Sequence, residues 1–202
     1  PLAVLITAIG VSYFLQNAAL LIWSAAPKVY TPIISGSLSL FGGALKIPYV
    51  SILTVVVCLV IMVALTAFTS MSKMGKAMRA CSEDKGAAQL MGINVNATIS
   101  MTFAIGSALA AIAGVLLCSS YPTLMPTTGS MPGIKAFTAA VFGGIGSIPG
   151  AMLGGIVVGI IEALVTAYIS SSLANAVVFL ILIVMLLVKP AGILGKNVGE
   201  KV

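Results

Sequence analysis

The chain offers few side chains with which an enzyme could do chemistry. It contains no histidine, only four acids among 202 residues, and three cysteines, Cys58, Cys81 and Cys118, far apart and without a CxxC pair. Acid–base catalysis, metal sites and disulfide frameworks need such groups in close sets. We therefore expect no catalytic residue, no metal or other cofactor, and no enzymatic activity.

A glycine-rich stretch, GGIGSIPGAMLGGIVVG at 143–159, invites a nucleotide-binding interpretation. It lacks the Lys-Ser or Lys-Thr pair of a phosphate loop, and its glycine spacing does not fit a dinucleotide fingerprint. Small residues recur every four positions in two rows: Gly146, Gly150 and Gly154, and Ala151, Gly155 and Gly159. This pattern lets membrane helices pack backbone to backbone, so it predicts tight helix packing.

The charged residues concentrate in SKMGKAMRACSEDKGAAQLMGINV, residues 72–95, which holds six of the chain's fourteen charged residues, four basic and two acidic. Residues 76–91 favour one helix, and Gly92 is placed to end it in the left-handed conformation. The spacing of Arg79 to Glu83 and to Asp84 suggests charge contacts within that helix. An apolar stripe comprises Ala77, Met78, Cys81, Ala88 and Met91. An amphipathic helix of this kind is typical of one that docks into a groove on a soluble partner.

Two polar groups lie within apolar segments. Glu162 is the only acid inside a predicted span, and it either lines a translocation path or pairs near the outer end of its helix, for instance with Lys135. Ser12 and Gln16 share a helical face, and Asn17 follows them. These three either line a polar conduit or hydrogen-bond to a neighbouring helix.

The composition that surrounds these residues is that of a membrane protein. Hydrophobic residues make up 60% of the chain and charged residues 7%, against about 25% charged in a soluble domain. The apolar runs are long and do not alternate, which favours helices over a β-barrel. We therefore predict an all-α polytopic bundle in one transmembrane domain, 1–202, with spans at about 2–26, 49–70, 98–119, 150–169 and 173–188 and a short piece at 134–145.

Basic residues indicate the orientation of these spans. The loop 71–97 and the C-terminal tail carry seven of the ten basic residues, which places both in the cytoplasm. An even number of crossings must separate them, so the short piece at 134–145 has to cross as well. Its twelve residues reach only about 18 Å as helix, so we expect a short helix completed by non-helical, glycine-rich backbone.

Two further features are the start of the chain and its net charge. The chain begins at Pro1 without a signal peptide, so we expect upstream spans to be missing. The net charge of +6 reflects cytoplasmic loops, because no basic stripe with interleaved aromatic residues is present. We therefore expect contact with membrane lipid and no binding of nucleic acid.

Three motifs in order resemble one known family. They are GKAMRACSEDKGAAQLMGINV at 75–95, KAFTAAVFGGIGSIPGAMLGG at 135–155 and KPAGILG at 189–195. Together they look like the permease subunit of branched-chain amino-acid ABC importers, the Liv-type inner-membrane permeases, and RACSED with the compact tail is closer to the shorter of the two paired permeases.

The resemblance implies a role for the charged stretch. It would be the coupling helix of an ABC permease, related to the EAA loop, with Glu83, Ala87, Ala88 and Gly92 as the nearest matches. We select Arg79 and Asp84 as coupling residues as well. The family also implies leucine, isoleucine and valine as substrates, two ATP-binding subunits that hydrolyse ATP, a second permease and an extracytoplasmic binding protein, in the bacterial plasma (inner) membrane.

Two alternatives stay open. A secondary transporter or channel without ATPases would also suit broken helices and an intramembrane acid, although it leaves the docking helix unexplained. An ABC permease for another small solute is the second, since a fold does not fix a substrate.

Overall fold

The computed structural model describes residues 2–31, 34, 36–40, 45–189 and 191–195. Helices dominate this part of the chain, which confirms the all-α prediction. Their bounds are α1 Leu2–Trp23, α2 Tyr49–Met71, α3 Lys73–Glu83, α4 Lys85–Leu90, α5 Val95–Ser120, α6 Ser130–Gly143, α7 Ile148–Tyr168 and α8 Ser171–Val188. Within the described residues, α1, α2, α5, α7 and α8 are long and apolar enough to cross a membrane.

Polar residues begin several of these helices. The hydroxyl oxygens of Ser72, Ser147 and Ser170 accept hydrogen bonds from backbone N–H groups in the first turns of α3, α7 and α8. The side-chain oxygen of Asn94 accepts one from Ala97 N at 3.1 Å, so Asn94 caps α5. At the other end of α1, Ser24 adopts a positive φ of 71°, which ends the first helix earlier than predicted.

Among the described residues, four short strands lie in the segments predicted to be loops. They are β1 Lys28–Val29, β2 Ser37–Leu40, β3 Leu45–Pro48 and β4 Thr123–Leu124. β2 and β3 pair antiparallel, as do β1 and β4, which are far apart in sequence. Strands of two to four residues are too short for an alternating pattern to reveal them in a sequence.

The chain forms two compact units, 1–58 with 99–130 and 59–98 with 131–202, so the division falls inside α2 and α5. The first unit contains α1 and both strand pairs. The second contains α3, α4 and the helices α6, α7 and α8, and its best-buried side chains include Thr138 and Val178.

Candidate functional site

The charged stretch folds as two helices rather than the single predicted helix over 76–91. Asp84 lies between them in an extended conformation, with φ −154° and ψ 114°. Its N–H donates to Ala80 O at 3.1 Å, and its Oδ1 accepts from Gly86 N at 2.7 Å and Ala87 N at 3.1 Å. One residue thus ends α3 and caps α4. The prediction of a continuous helix was wrong because an aspartate side chain bonds backbone N–H groups better outside a helix than within one.

Gly92 ends α4 as predicted. Its φ is +80°, in the left-handed region that favours glycine. Gly92 N donates to Gln89 O at 3.0 Å and Ile93 N donates to Ala88 O at 3.1 Å. These two bonds form a complete Schellman motif, so Gly92 fixes the direction in which the chain leaves α4 toward α5.

Four of the five residues of the apolar stripe are buried or half-buried by the chain itself, and the fifth, Met91, is exposed. Cys81 is 7% exposed and Ala88 3%, while Ala77 and Met78 are half-buried. The inference that the stripe faces a partner was therefore wrong for Cys81 and Ala88, which the chain itself buries. Sequence periodicity identifies an apolar face but cannot tell whether the chain itself or another protein covers it.

The exposed apolar residues lie at the end of α4 instead. Leu90 is 91% exposed and Met91 81%. Arg79, Glu83, Asp84 and Ala87 are also exposed, and we call these six residues the exposed set. In the part of the chain described, neither Glu83 nor Asp84 forms an ion pair with Arg79, so the predicted charge contacts are absent. The side chain of Arg79 is thus available to another molecule.

Gly75 joins the segment to the preceding span and was not selected from the sequence. It is buried in the first turn of α3, whose N-cap, Ser72, donates its N–H to Phe68 O at 3.0 Å. A Cβ at Gly75 would overlap Thr69 Cα and come within 2.7 Å of Thr69 O. The close approach of α3 to the end of α2 therefore requires glycine. The sequence signal that could have identified Gly75 was a glycine at the start of a run of good helix formers.

A second feature is the helical hairpin of α6 and α7. α6 has 14 residues, about 21 Å of helix, and non-helical backbone at Gly144 and Gly146 follows it with φ of +112° and +92°. This is the short helix and glycine-rich break that was expected. Gly146 has no heavy atom within 4 Å of a Cβ built on it, so it serves the turn, and the prediction that it packs helices was wrong.

The two helices of the hairpin meet along a seam of small residues. A Cβ at Gly143 would overlap Gly150 O, and one at Gly154 would overlap Ala139 O and lie 2.8 Å from Gly143 N. Gly150 and Gly154 thus do pack helices, as predicted. Gly155 and Gly159 point away from the seam: a Cβ at Gly155 would only touch Ala139 Cβ at 3.9 Å, and one at Gly159 would meet nothing within 4 Å.

An ion pair extends the same seam. Lys135 Nζ lies 2.5 Å from Glu162 Oε1, with side-chain exposures of 24% and 32%. Within the described residues this is the sole ion pair, and it links the two helices of the hairpin. Of the two interpretations of Glu162, the structure favours pairing with Lys135. The Glu162 carboxylate neutralises a neighbouring cation, which is how an acid within an apolar helix is best accommodated.

This pairing makes a prediction. Glu162→Gln should lower the apparent melting temperature in detergent by several degrees, because it removes a contact of about 1 kcal/mol and leaves the Lys135 ammonium without its partner. The double exchange Lys135→Glu with Glu162→Lys should recover most of the loss and should retain uptake. A double exchange that restores melting but abolishes uptake would instead assign Glu162 to the translocation path.

The C-terminal tail packs against the end of α6. Ile193 N donates to Phe142 O at 3.0 Å and Leu194 N donates to Gly143 O at 2.9 Å. Gly192 has a φ of +77°, and a Cβ there would overlap Gly144. The tail thus satisfies carbonyl groups that the end of α6 would leave unpaired. The second and third of the three sequence motifs, at 135–155 and 189–195, therefore meet in space.

The polar residues of α1 remain within their own helix. Gln16 Nε2 donates to Ser12 Oγ at 3.2 Å and Asn17 Nδ2 donates to Tyr13 O at 2.8 Å. The three belong to the first unit, whereas Glu162 belongs to the second. The four residues proposed for a path therefore do not form one site inside either unit, and a role in the path stays a prediction.

No group of three or more metal-ligating side chains occurs among the residues that the structure describes. Cys81 and Cys118 are buried and Cys58 is exposed, all as free thiols. The arrangement that could act on another molecule is therefore the exposed set together with the close contact between α3 and the end of α2 at Gly75.

Comparison with known proteins identifies the family. The family model described as "Branched-chain amino acid transport system / permease component" matches residues 2–188. The chain is 47% identical over 202 residues to the high-affinity branched-chain amino acid transport system permease protein BraD of Pseudomonas aeruginosa, covering 98% of this chain and 66% of that protein. It is 48% identical over 211 residues to LivH of Escherichia coli, a permease protein of the same description, covering 100% of this chain and 66% of that protein.

A more distant similarity covers a smaller part of this chain. The xylose transport system permease protein XylH of Escherichia coli is 38% identical over 73 residues, 33% of this chain and 19% of that protein. No solved structure matches the chain significantly. The chain thus spans about two thirds of the length of BraD and LivH.

Proposed function

Because this chain belongs to the family of permease components of branched-chain amino acid transport systems, we propose that it is a membrane-spanning subunit of an ATP-binding-cassette importer for leucine, isoleucine and valine. It performs no chemistry of its own. ATP hydrolysis on partner subunits drives the pathway between outward-open and inward-open states, a shift in the populations of two conformations.

One observation carries this proposal beyond family membership: the exposure of Leu90 and Met91 beside Arg79 and Glu83. Large apolar side chains are costly to leave in water on a cytoplasmic segment, and apolar anchors with a charged rim are typical of a helix that inserts into a groove. We propose that the exposed set docks on an ATP-binding subunit. Ala88, being buried, holds α4 in place and does not touch the partner.

The segment is well placed to carry motion to the spans. α3 follows α2 after a single residue, and the close packing at Gly75 makes that junction stiff. At the other end, the Schellman motif at Gly92 and the Asn94 cap connect α4 to α5 within four residues. A displacement of the docked helices would therefore move α2 and α5 directly.

The remaining partners and the orientation belong to the same proposal. The loop 71–97 and the C-terminus are cytoplasmic because they carry most of the basic residues, in the plasma (inner) membrane of a bacterium. A second, related permease completes the pathway and an extracytoplasmic binding protein delivers the amino acid. Few residues of α1, α2 and α5 are fully buried, which leaves surface for lipid and for such a partner.

Leucine uptake into vesicles that contain the complete assembly tests the proposal. We expect uptake to stop when either ATP or the binding protein is omitted, and unlabelled isoleucine and valine to compete. Uptake driven by an ion gradient alone would identify a secondary transporter and refute the proposal. Competition by xylose, with none by leucine, would favour a sugar permease, the alternative that the similarity to XylH supports.

A further inference from the structure

A cavity of about 330 Å³ lies in the first unit, at the end of α1 and beside the β1–β4 pair. Its apolar wall is formed by Ala19, Trp23, Ala26, Leu124 and Met125, and Lys28 lies at its edge as the only charged residue among the described residues that line it. The volume falls in the range of pockets that hold small ligands, about 300 to 1,000 Å³. The coupling function described above does not use this cavity.

Backbone pairing holds the parts of the cavity together. Lys28 is opposite Leu124 in the strand pair, and Tyr30 N donates to Pro122 O at 2.8 Å. The positive φ of Ser24 turns the chain from α1 into β1, which brings Trp23 and Lys28 to the same opening. The site is therefore formed by two segments about a hundred residues apart in sequence, and a local sequence pattern does not reveal it.

Within its own unit, Lys28 has no acidic residue to compensate its charge. Residues 1–58 and 99–130, which make up this unit, contain two lysines, Lys28 and Lys46, and no acid. The Lys28 ammonium has no hydrogen-bond or ion-pair partner among the described residues. An apolar cavity with one free cation at its edge is complementary to an amphiphile that has an anionic head and a hydrocarbon chain.

The position of the cavity indicates the source of that amphiphile. Trp23 is the last residue of α1, which is long and apolar enough to span a membrane, and tryptophan is typical of the level where a span meets the lipid headgroups. Lysine beside it can extend its apolar stem along the hydrocarbon and place its charge among the phosphates.

We propose that this cavity binds an anionic glycerophospholipid, with the phosphate on Lys28 and an acyl chain along Trp23 and Met125. A zwitterionic amino acid would fit less well, because its ammonium group would find no carboxylate in this unit. A free anion would not use the apolar wall. The bound lipid fastens the end of α1 to the β1–β4 pair.

Trp23 is the chain's only tryptophan, so its fluorescence reports on the cavity directly. The experiment places the full chain in phosphatidylcholine vesicles that contain a minor fraction of either dibrominated phosphatidylglycerol or dibrominated phosphatidylcholine, since bromine quenches tryptophan on contact. We expect phosphatidylglycerol to be preferred by roughly fivefold, the factor that about 1 kcal/mol per basic residue at an anionic surface represents.

Lys28→Gln should remove that preference, whereas the matched control Lys46→Gln, the other lysine of the same unit, should retain it. Equal quenching by the two lipids, or a preference that survives Lys28→Gln, would overturn the proposal by reducing the contact to ordinary lipid solvation. Absence of quenching by either lipid would show that protein fills the cavity, and loss of quenching on adding leucine would assign it to an amino acid. Both results also refute the proposal.

Discussion

Replacing Gly154 by alanine is expected to destabilise the protein by about 1 to 3 kcal/mol, the usual penalty for overpacking, although the change adds a single methyl group. The new Cβ would overlap the carbonyl oxygen of Ala139 on the facing helix. Backbone cannot move aside as the end of a flexible side chain can, so α6 and α7 would have to separate along their seam. The apparent melting temperature in detergent is the measurement.

Gly159→Ala provides the matched control for this substitution. It lies in the same helix, and a Cβ there would meet nothing within 4 Å. Any general effect of exchanging glycine for alanine in a membrane helix is therefore common to both variants. Melting of Gly154→Ala at the same temperature as Gly159→Ala would show that the seam does not hold the hairpin together.

Replacing Leu90 by glutamate should reduce leucine uptake by at least tenfold while leaving the fold intact. The side chain is 91% exposed, so the change should not alter the melting temperature. In a docked complex the same position is an apolar anchor, and loss of such an anchor costs about 2 kcal/mol or more. Uptake by the assembly should fall, and the ATP-binding subunits should no longer copurify with the permease.

Gln89→Glu is the control for the charge introduced next to Leu90. Gln89 is exposed on the same helix, and its substitution places a carboxylate of the same kind one residue away. We expect uptake to remain close to that of the unchanged chain. Normal uptake and normal copurification in Leu90→Glu would remove Leu90 from the interface and leave the other five members of the exposed set as candidate contacts.

Two features of the charged stretch, the end of α4 at Gly92 and the break at Asp84, were both encoded by local sequence. The end of α4 was predictable, because Gly92 lies after a run of helix formers and its positive φ is a local backbone requirement. The break at Asp84 was also encoded locally, yet it was missed, since aspartate is tolerated in helices and only the hydrogen bonds to Gly86 and Ala87 reveal its role as a cap.

Several features depended on residues distant in sequence. The pattern of small residues predicted close packing, but it could not distinguish Gly150 and Gly154, which lie in the seam, from Gly159, which does not. The same holds for the contact of the tail with α6 and for the β1–β4 pair. Each of these requires two segments to meet, and periodicity reports on one segment at a time.

By itself the sequence determined the class of protein, the positions of its spans within a few residues, the short broken helix and the family. These follow from local quantities: hydropathy over about 20 residues, helix-ending glycines and motif order. Only the tertiary structure decided which side of SKMGKAMRACSEDKGAAQLMGINV is free. Cys81 and Ala88 are buried and Leu90 and Met91 are not, because burial is a property of what packs against a residue.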